Sequence, residues 1–153
     1  MKSKIAQTII SGLIATAVMT VVGLMAPYIG LPKMNPAELL SGMMGAPLIA
    51  GYLMHFMIGI IFAAAYVYLF NSKVHLGSKL IKGGLFGLSV FILAQVMMFL
   101  ISKLMPMPMV EGNMMLTILG SLIGHLLYGI VVALIVPNYY IEQLRNNIST
   151  AHV

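Results

Sequence analysis

The chain has no cysteine and no tryptophan, and only 7% of its 153 residues carry charge. The lack of cysteine excludes disulfides, thiolate metal sites and cysteine nucleophiles. The lack of tryptophan leaves any aromatic belt at a membrane interface to tyrosine. The shortage of charge excludes more. A soluble domain carries about 25% charged residues, so this surface cannot face water. The three carboxylates, Glu38, Glu111 and Glu142, all lie outside the long apolar runs. A proton or sodium pump of the carboxylate type is therefore not expected. No phosphate loop, zinc-helix motif or serine elbow occurs. With short connections there is little room for a soluble active site, and an enzyme is not expected.

What is present is apolar: 61% of the residues are hydrophobic. They gather into four runs, at about 5–27, 48–70, 80–104 and 114–136. Each reaches the roughly 20 residues that a helix needs to cross a bilayer. Strand-like alternation is absent, which argues against a β-barrel. The predicted fold is an all-α membrane protein, a bundle of four transmembrane helices forming one domain over 1–153, with 137–153 as a short polar tail. Pro32, Pro36 and Pro47 punctuate the first connection, and Met105-Pro106-Met107-Pro108-Met109 blocks regular helix in the third. Asn35-Pro36-Ala37-Glu38-Leu39-Leu40 reads as a capped short surface helix. The first run is long for a signal-peptide core and no small-x-small site follows it, so it is predicted to be retained.

The net charge of +5 reads as topology, with no nucleic-acid partner. Lys2, Lys4, Lys73, Lys79, Lys82 and Arg145 fall on one side of the four spans, and Lys33 and Lys103 on the other. The excess predicts both termini in the cytoplasm, in a cell inner (plasma) membrane.

The two halves look like copies. Helix two reads His55-Phe-Met-Ile-Gly59-Ile-Ile-Phe-Ala63, and helix four reads His125-Leu-Leu-Tyr-Gly129-Ile-Val-Val-Ala133. Gly51 and Ser121 stand one turn before the histidines, so both helices carry small-x3-His-x3-Gly along one face. Helices one and three match more weakly, with Ser11-Gly12-Leu13 set against Gly83-Gly84-Leu85 and Met25 against Met97. Each half is a two-helix hairpin. The expected relation is a parallel repeat about a pseudo-twofold axis along the membrane normal.

His55 and His125 are the ionisable side chains well inside the spans. Such groups usually face the bundle interior or a cavity. Counted from the helix starts at 1.5 Å per residue, they lie roughly 10 Å and about 16 Å deep. Three readings follow. In the first, the pair ligates the iron of one non-covalent b-type haem, since bundle cores hold cofactors on facing helices and imidazole is a common axial ligand. Gly51, Gly59, Ser121 and Gly129 would leave room for the flat macrocycle, and Lys33 or Lys103 would meet the propionates. The second reading is copper(I). The chain holds 15 methionines, and soft thioethers such as Met43, Met44, Met114, Met115 and Met107 select copper(I). In the third, the histidines are structural. They would hydrogen-bond across helices to Thr16, Thr20, Ser89 or Gln95. The protein would then be a cofactor-free accessory subunit of another membrane protein, or a homo-oligomer.

The stretches Met34-Asn35-Pro36-Ala37-Glu38-Leu39-Leu40, Met54-His55-Phe56-Met57-Ile58-Gly59 and Gly124-His125-Leu126-Leu127-Tyr128-Gly129 resemble a family of small bacterial four-span membrane proteins. The resemblance covers nearly the whole chain. It implies the membrane architecture and assigns no functional residue.

Overall fold

A computed structural model describes residues 3–104 and 113–151. The methionine–proline run 105–109, which includes Met107, lies outside the described residues, as do Glu111 and His152.

Helix α1 (Lys4–Met25) starts at Ser3, whose hydroxyl accepts the Ala6 N–H. Pro27 lacks an N–H, and the helix tightens there into a 3-10 turn, Ala26–Ile29, that ends on Gly30 at φ 81°. That angle suits glycine, which has no Cβ to clash. The chain then folds back onto α1, where the Met34 N–H donates to the Gly23 carbonyl at 3.3 Å. Helix α2 (Pro36–Met44) begins as its sequence predicts: the Asn35 side chain accepts from the N–H groups of Ala37 and Glu38. It is not a free surface helix, however. Ala37 is fully buried, and its carbonyl rests on Gly51.

Helix α3 (Leu48–Ala65) passes through a π-helical turn, Tyr66–Phe70, into a last α-turn, α4 (Asn71–Lys73), so the rod runs unbroken from Leu48 to Lys73. Helices α5 (Lys79–Ser102) and α6 (Met114–Ile135) are capped by Ser78 and Asn113. The polar tail is itself a helix, α7 (Tyr139–Ala151). Its apolar residues Ile141, Leu144 and Ile148 recur at helical spacing and Glu142 occupies its first turn, where a carboxylate favours the helix dipole. Among the described residues, four helical rods are long and apolar enough to cross a membrane.

The rods pack in the order α3, α1, α6, α5, with α2 lying on α3. Inside lipid there is little hydrophobic drive between helices, so close approach at small residues does the work. Gly12 of α1 lies against Gly59, Ile60 and Ala63 of α3, and Thr16 sits on Gly59. Gly83 of α5 lies against Gly129, Ile130 and Ala133 of α6, and the Gly87 backbone sits on Gly129. The two hairpins thus use corresponding residues of their His-x3-Gly-Ile motifs. Gly12 thus meets α3 as Gly83 meets α6, whereas the sequence match sets Gly12 against Gly84.

At the end of the bundle carrying the termini, Tyr66 and Phe70 pack on Phe86 with ring centroids 5.0 and 5.2 Å apart. Lys82 is completely buried beside them. Its ammonium donates to the Asn71 carbonyl at 2.9 Å and to Asn138 Oδ1 at 3.1 Å. Asn138 in turn donates to the carbonyls of Leu76 and Gly77, and Asn71 to that of Pro137. Lys79 donates to the Leu134 carbonyl at 3.0 Å. Two lysines counted as surface charge therefore cap helix C-termini, where cations are favoured. The Tyr139 hydroxyl donates to Gln7 Oε1 at 3.0 Å, fixing α7 beside the start of α1.

Candidate functional site

The opposite end of the bundle, called the far end here, is hollow. A cavity of about 1000 Å³ runs inward from the segment 30–40 to Phe62 and Tyr128. Both His55 and His125 line it. Helix α3 brings His55 one turn before Gly59, with the ring 8% exposed and Nε2 without a hydrogen-bond partner. Helix α6 brings His125, half-buried, with the Phe91 ring edge-on at 5.8 Å. Nδ1 of His125 stands 2.7 Å from the carbonyl oxygen of Ser121. A carbonyl only accepts, so Nδ1 carries the proton and donates it. Nε2 then keeps the free lone pair, the form in which a histidine ligates a metal. The Ser121 hydroxyl lies further off, at 3.4 Å from Nδ1.

One other buried polar atom in the wall is also unmatched. Thr16 Oγ1 is buried without a partner, and the Gln95 side chain lines the same space. Buried polar groups are normally satisfied. Among the described residues, two of the four unmatched buried side-chain atoms, His55 Nε2 and Thr16 Oγ1, share this hollow, and the other two, Thr8 Oγ1 and Asn71 Oδ1, lie outside it. None of the partners foreseen for the histidines is used. Thr20 donates to the Thr16 carbonyl and Ser89 to that of Leu85, each on its own helix.

The small residues flanking the histidines divide. Gly59 and Ser121 line the cavity, whereas Gly51 and Gly129 do not. Gly51 receives the α2 backbone and Gly129 the α5 backbone. At these two positions the expectation of room for a macrocycle is replaced by close helix contact. The methionines also sort differently. Met114 and Met115 are 72% and 75% exposed, Met44 is exposed, and Met43 is half-buried; none of the four lines the cavity. Met19, Met34 and Met98 do. Met19 packs on Gly124 and the Met34 thioether on Gly120. Met34 belongs to the outer-side methionines that the copper(I) reading draws on, whereas sequence reasoning missed Met19 and Met98 because nothing in their spacing sets them apart from the other methionines. Among the described residues no group of three or more His, Cys, Asp or Glu gathers; the metal-ligating groups that line the cavity are the two imidazoles, the three thioethers and the Glu38 carboxylate at its rim.

At the cavity rim Lys33 and Glu38 form an ion pair at 2.7 Å, with side chains 57% and 47% exposed. The Lys33 hydrogen bond holds the Glu38 carboxyl below the usual carboxylate range. Lys103, the other lysine considered for propionates, lies over the Phe99 ring at 5.1 Å and is not part of the wall.

A sequence-family model covers residues 2–145. The chain belongs to DUF6789, a family of unknown function. No curated protein and no solved structure matches it. The family says nothing of a membrane; the four helices long and apolar enough to cross one point to a membrane protein, and its chemistry has to be argued from the cavity.

Proposed function

We propose that the protein holds one b-type haem in the far-end cavity, with His55 and His125 as axial ligands, for electron transfer or haem handling. The observation that carries this reading is the joint placement of the two imidazoles on one largely apolar hollow, with Nε2 of His55 unpartnered and Nε2 of His125 left free by the Ser121 carbonyl. The residues fit such a group. Val90, Ala94, Phe62 and Ile58 supply flat apolar wall. Lys33, already holding a carboxylate at the rim, is placed for a propionate. When bound, the haem iron would supply a one-electron couple. The chain would supply ligation, exclusion of water and orientation of His125 through Ser121. The lysine and arginine excess supports an orientation with the termini in the cytoplasm and the far end outside. The matched contacts of Gly12 and Gly83 support two parallel hairpin repeats.

A second reading has its own observation. Met19, Met34 and Met98 share the cavity with the histidines, and thioether with imidazole suits copper(I).

The test is an absorption spectrum of detergent-purified protein, air-oxidised and then dithionite-reduced, after expression with haem precursor. The expected result is a Soret band with sharp reduced α and β bands, lost in both His55→Ala and His125→Ala. A featureless spectrum with ample haem supply would sink the haem reading. Bound copper, abolished by changing Met19, Met34 and Met98 together, would then establish the second.

A further inference from the structure

Among the described residues, one side of the cavity has no helix–helix interface. Helix α1 packs along α3 and along α6, and α5 packs along α6, but α3 and α5 make no comparable interface. They meet near the termini end, where Tyr66 and Phe70 close onto Phe86. Beyond that point both helices contribute residues to the cavity: His55, Ile58 and Phe62 from α3, and Ala94, Gln95 and Met98 from α5. Helix α5 is committed to α6 and not to α3 along this stretch. Gly83 and Gly87 hold the first half of α5 against α6. Its second half carries larger residues, and Ile92, Val96, Phe99 and Leu100 there are exposed.

Symmetry sharpens the point. An axis that carries Gly12 onto Gly83 and Gly59 onto Gly129 carries α1 onto α5 and α3 onto α6. It therefore carries the packed α1–α6 interface onto the α5–α3 pair. Of these two related pairs, one is packed and the other makes no comparable interface.

The outer faces beside the opening are those of a lipid-facing surface. Leu53, Met57 and Ile61 of α3 are exposed, one turn apart. The opening is therefore sideways, into hydrocarbon, within the half of the bilayer nearer the far end. Its rim carries the Lys33–Glu38 pair, at the level where head groups lie.

From this we infer that a phospholipid acyl chain from the surrounding bilayer enters the cavity between α3 and α5 and fills it when no other ligand is bound. The inference does not rest on haem. It rests on the unpacked side, the apolar lining and the length of the helices. It makes the site one that amphiphilic molecules reach from the membrane.

The absence of tryptophan makes the test clean. Single-tryptophan variants of the haem-free full chain are placed in phosphatidylcholine vesicles whose acyl chains are brominated, which quench tryptophan on contact. Phe99→Trp, at a position 61% exposed, reports bulk lipid, and Tyr66→Trp, at a position 1% exposed, reports the closed core. Phe62→Trp reports the cavity floor, and Met98→Trp reports the opening should the first variant fail to fold. The expected result is quenching of Phe62→Trp or Met98→Trp by at least half as much as Phe99→Trp, with Tyr66→Trp nearly untouched. If both cavity reporters are as little quenched as Tyr66→Trp, the opening is closed to lipid and the inference is overturned.

Discussion

At the residue scale, the Ser121 carbonyl decides which nitrogen of His125 is free, and it does so from the backbone. Ser121→Ala keeps that carbonyl and removes only the hydroxyl at 3.4 Å. The variant is therefore expected to bind haem with an unchanged reduced spectrum, in contrast to His125→Ala. Loss of the α band in Ser121→Ala would show that the hydroxyl, and not the carbonyl, orients the ring. The histidines were legible in the sequence because ionisable groups in apolar runs are costly and few. The cavity methionines Met19 and Met98 were not, because a flexible apolar filler looks the same wherever it stands. The Lys33–Glu38 pair gives a pH effect of known sign. The Glu38 carboxyl titrates lower in the folded chain, so its contribution is present above the unfolded carboxylate range and fades as pH falls through the folded value. With both side chains about half exposed, the pair is worth at most about 1 kcal/mol. Glu38→Gln should cost thermal stability at neutral pH and very little in strong acid, as read by melting in detergent across that range.

At the element scale, helix contact is controlled by a few glycines. A side chain at Gly129 would run into the Gly83 carbonyl and the Gly87 backbone, neither of which can swing aside, whereas Gly84 has open space around it. Gly129→Leu should destabilise by about 1–3 kcal/mol or more, and Gly84→Leu should leave the melting midpoint nearly unchanged. Equal midpoints would mean that α5 and α6 do not pack through this face. The four spans were readable because length and apolarity alone define them. The π-turn at Tyr66–Phe70 and the docking of α2 were not. Both depend on what a helix meets, which a run of apolar letters does not record. The tail read as merely polar because its three apolar residues are spread over helical turns. Lys82 is the other control point. Lys82→Met would take the ammonium donor from the Asn71 carbonyl and leave Asn138 Oδ1 with only the Tyr140 N–H, at a cost of about 1–3 kcal/mol for a buried group left unmatched. The longer, planar head of Lys82→Arg is not expected to restore the loss. A melting midpoint for Lys82→Met equal to that of the parent would remove the lysine from the account of stability.

For the whole molecule, an even number of crossings puts Ser3 and Ser149 on one face and Gly45 on the other. The cysteine-free chain allows this to be read directly. In sealed cells, an impermeant thiol reagent should label Gly45→Cys and leave Ser3→Cys and Ser149→Cys unlabelled until the membrane is opened. The reverse pattern would invert the proposed orientation, and mixed labelling would contradict four crossings. The bundle was legible at this scale from composition, but the unpacked side of the cavity was not. The hairpin pattern shared by helices two and four does not record that, among the described residues, α1 packs along α6 while α3 and α5 make no comparable interface.

Lys82 also works at two moments in the life of the chain. In the proposed orientation, with the termini cytoplasmic, it would be, while the helices are being inserted, an ordinary solvated cation, one of the charges that hold the loop between α4 and α5 back from crossing. In the closed bundle it has no contact with solvent and is a bolt joining α4 to the segment between α6 and α7. The same ammonium group would first be read by the insertion machinery and then be withdrawn from view, coupling topology and folding in time through a single side chain. A neutral replacement would release both controls together, giving molecules that are less uniformly oriented and less firmly closed.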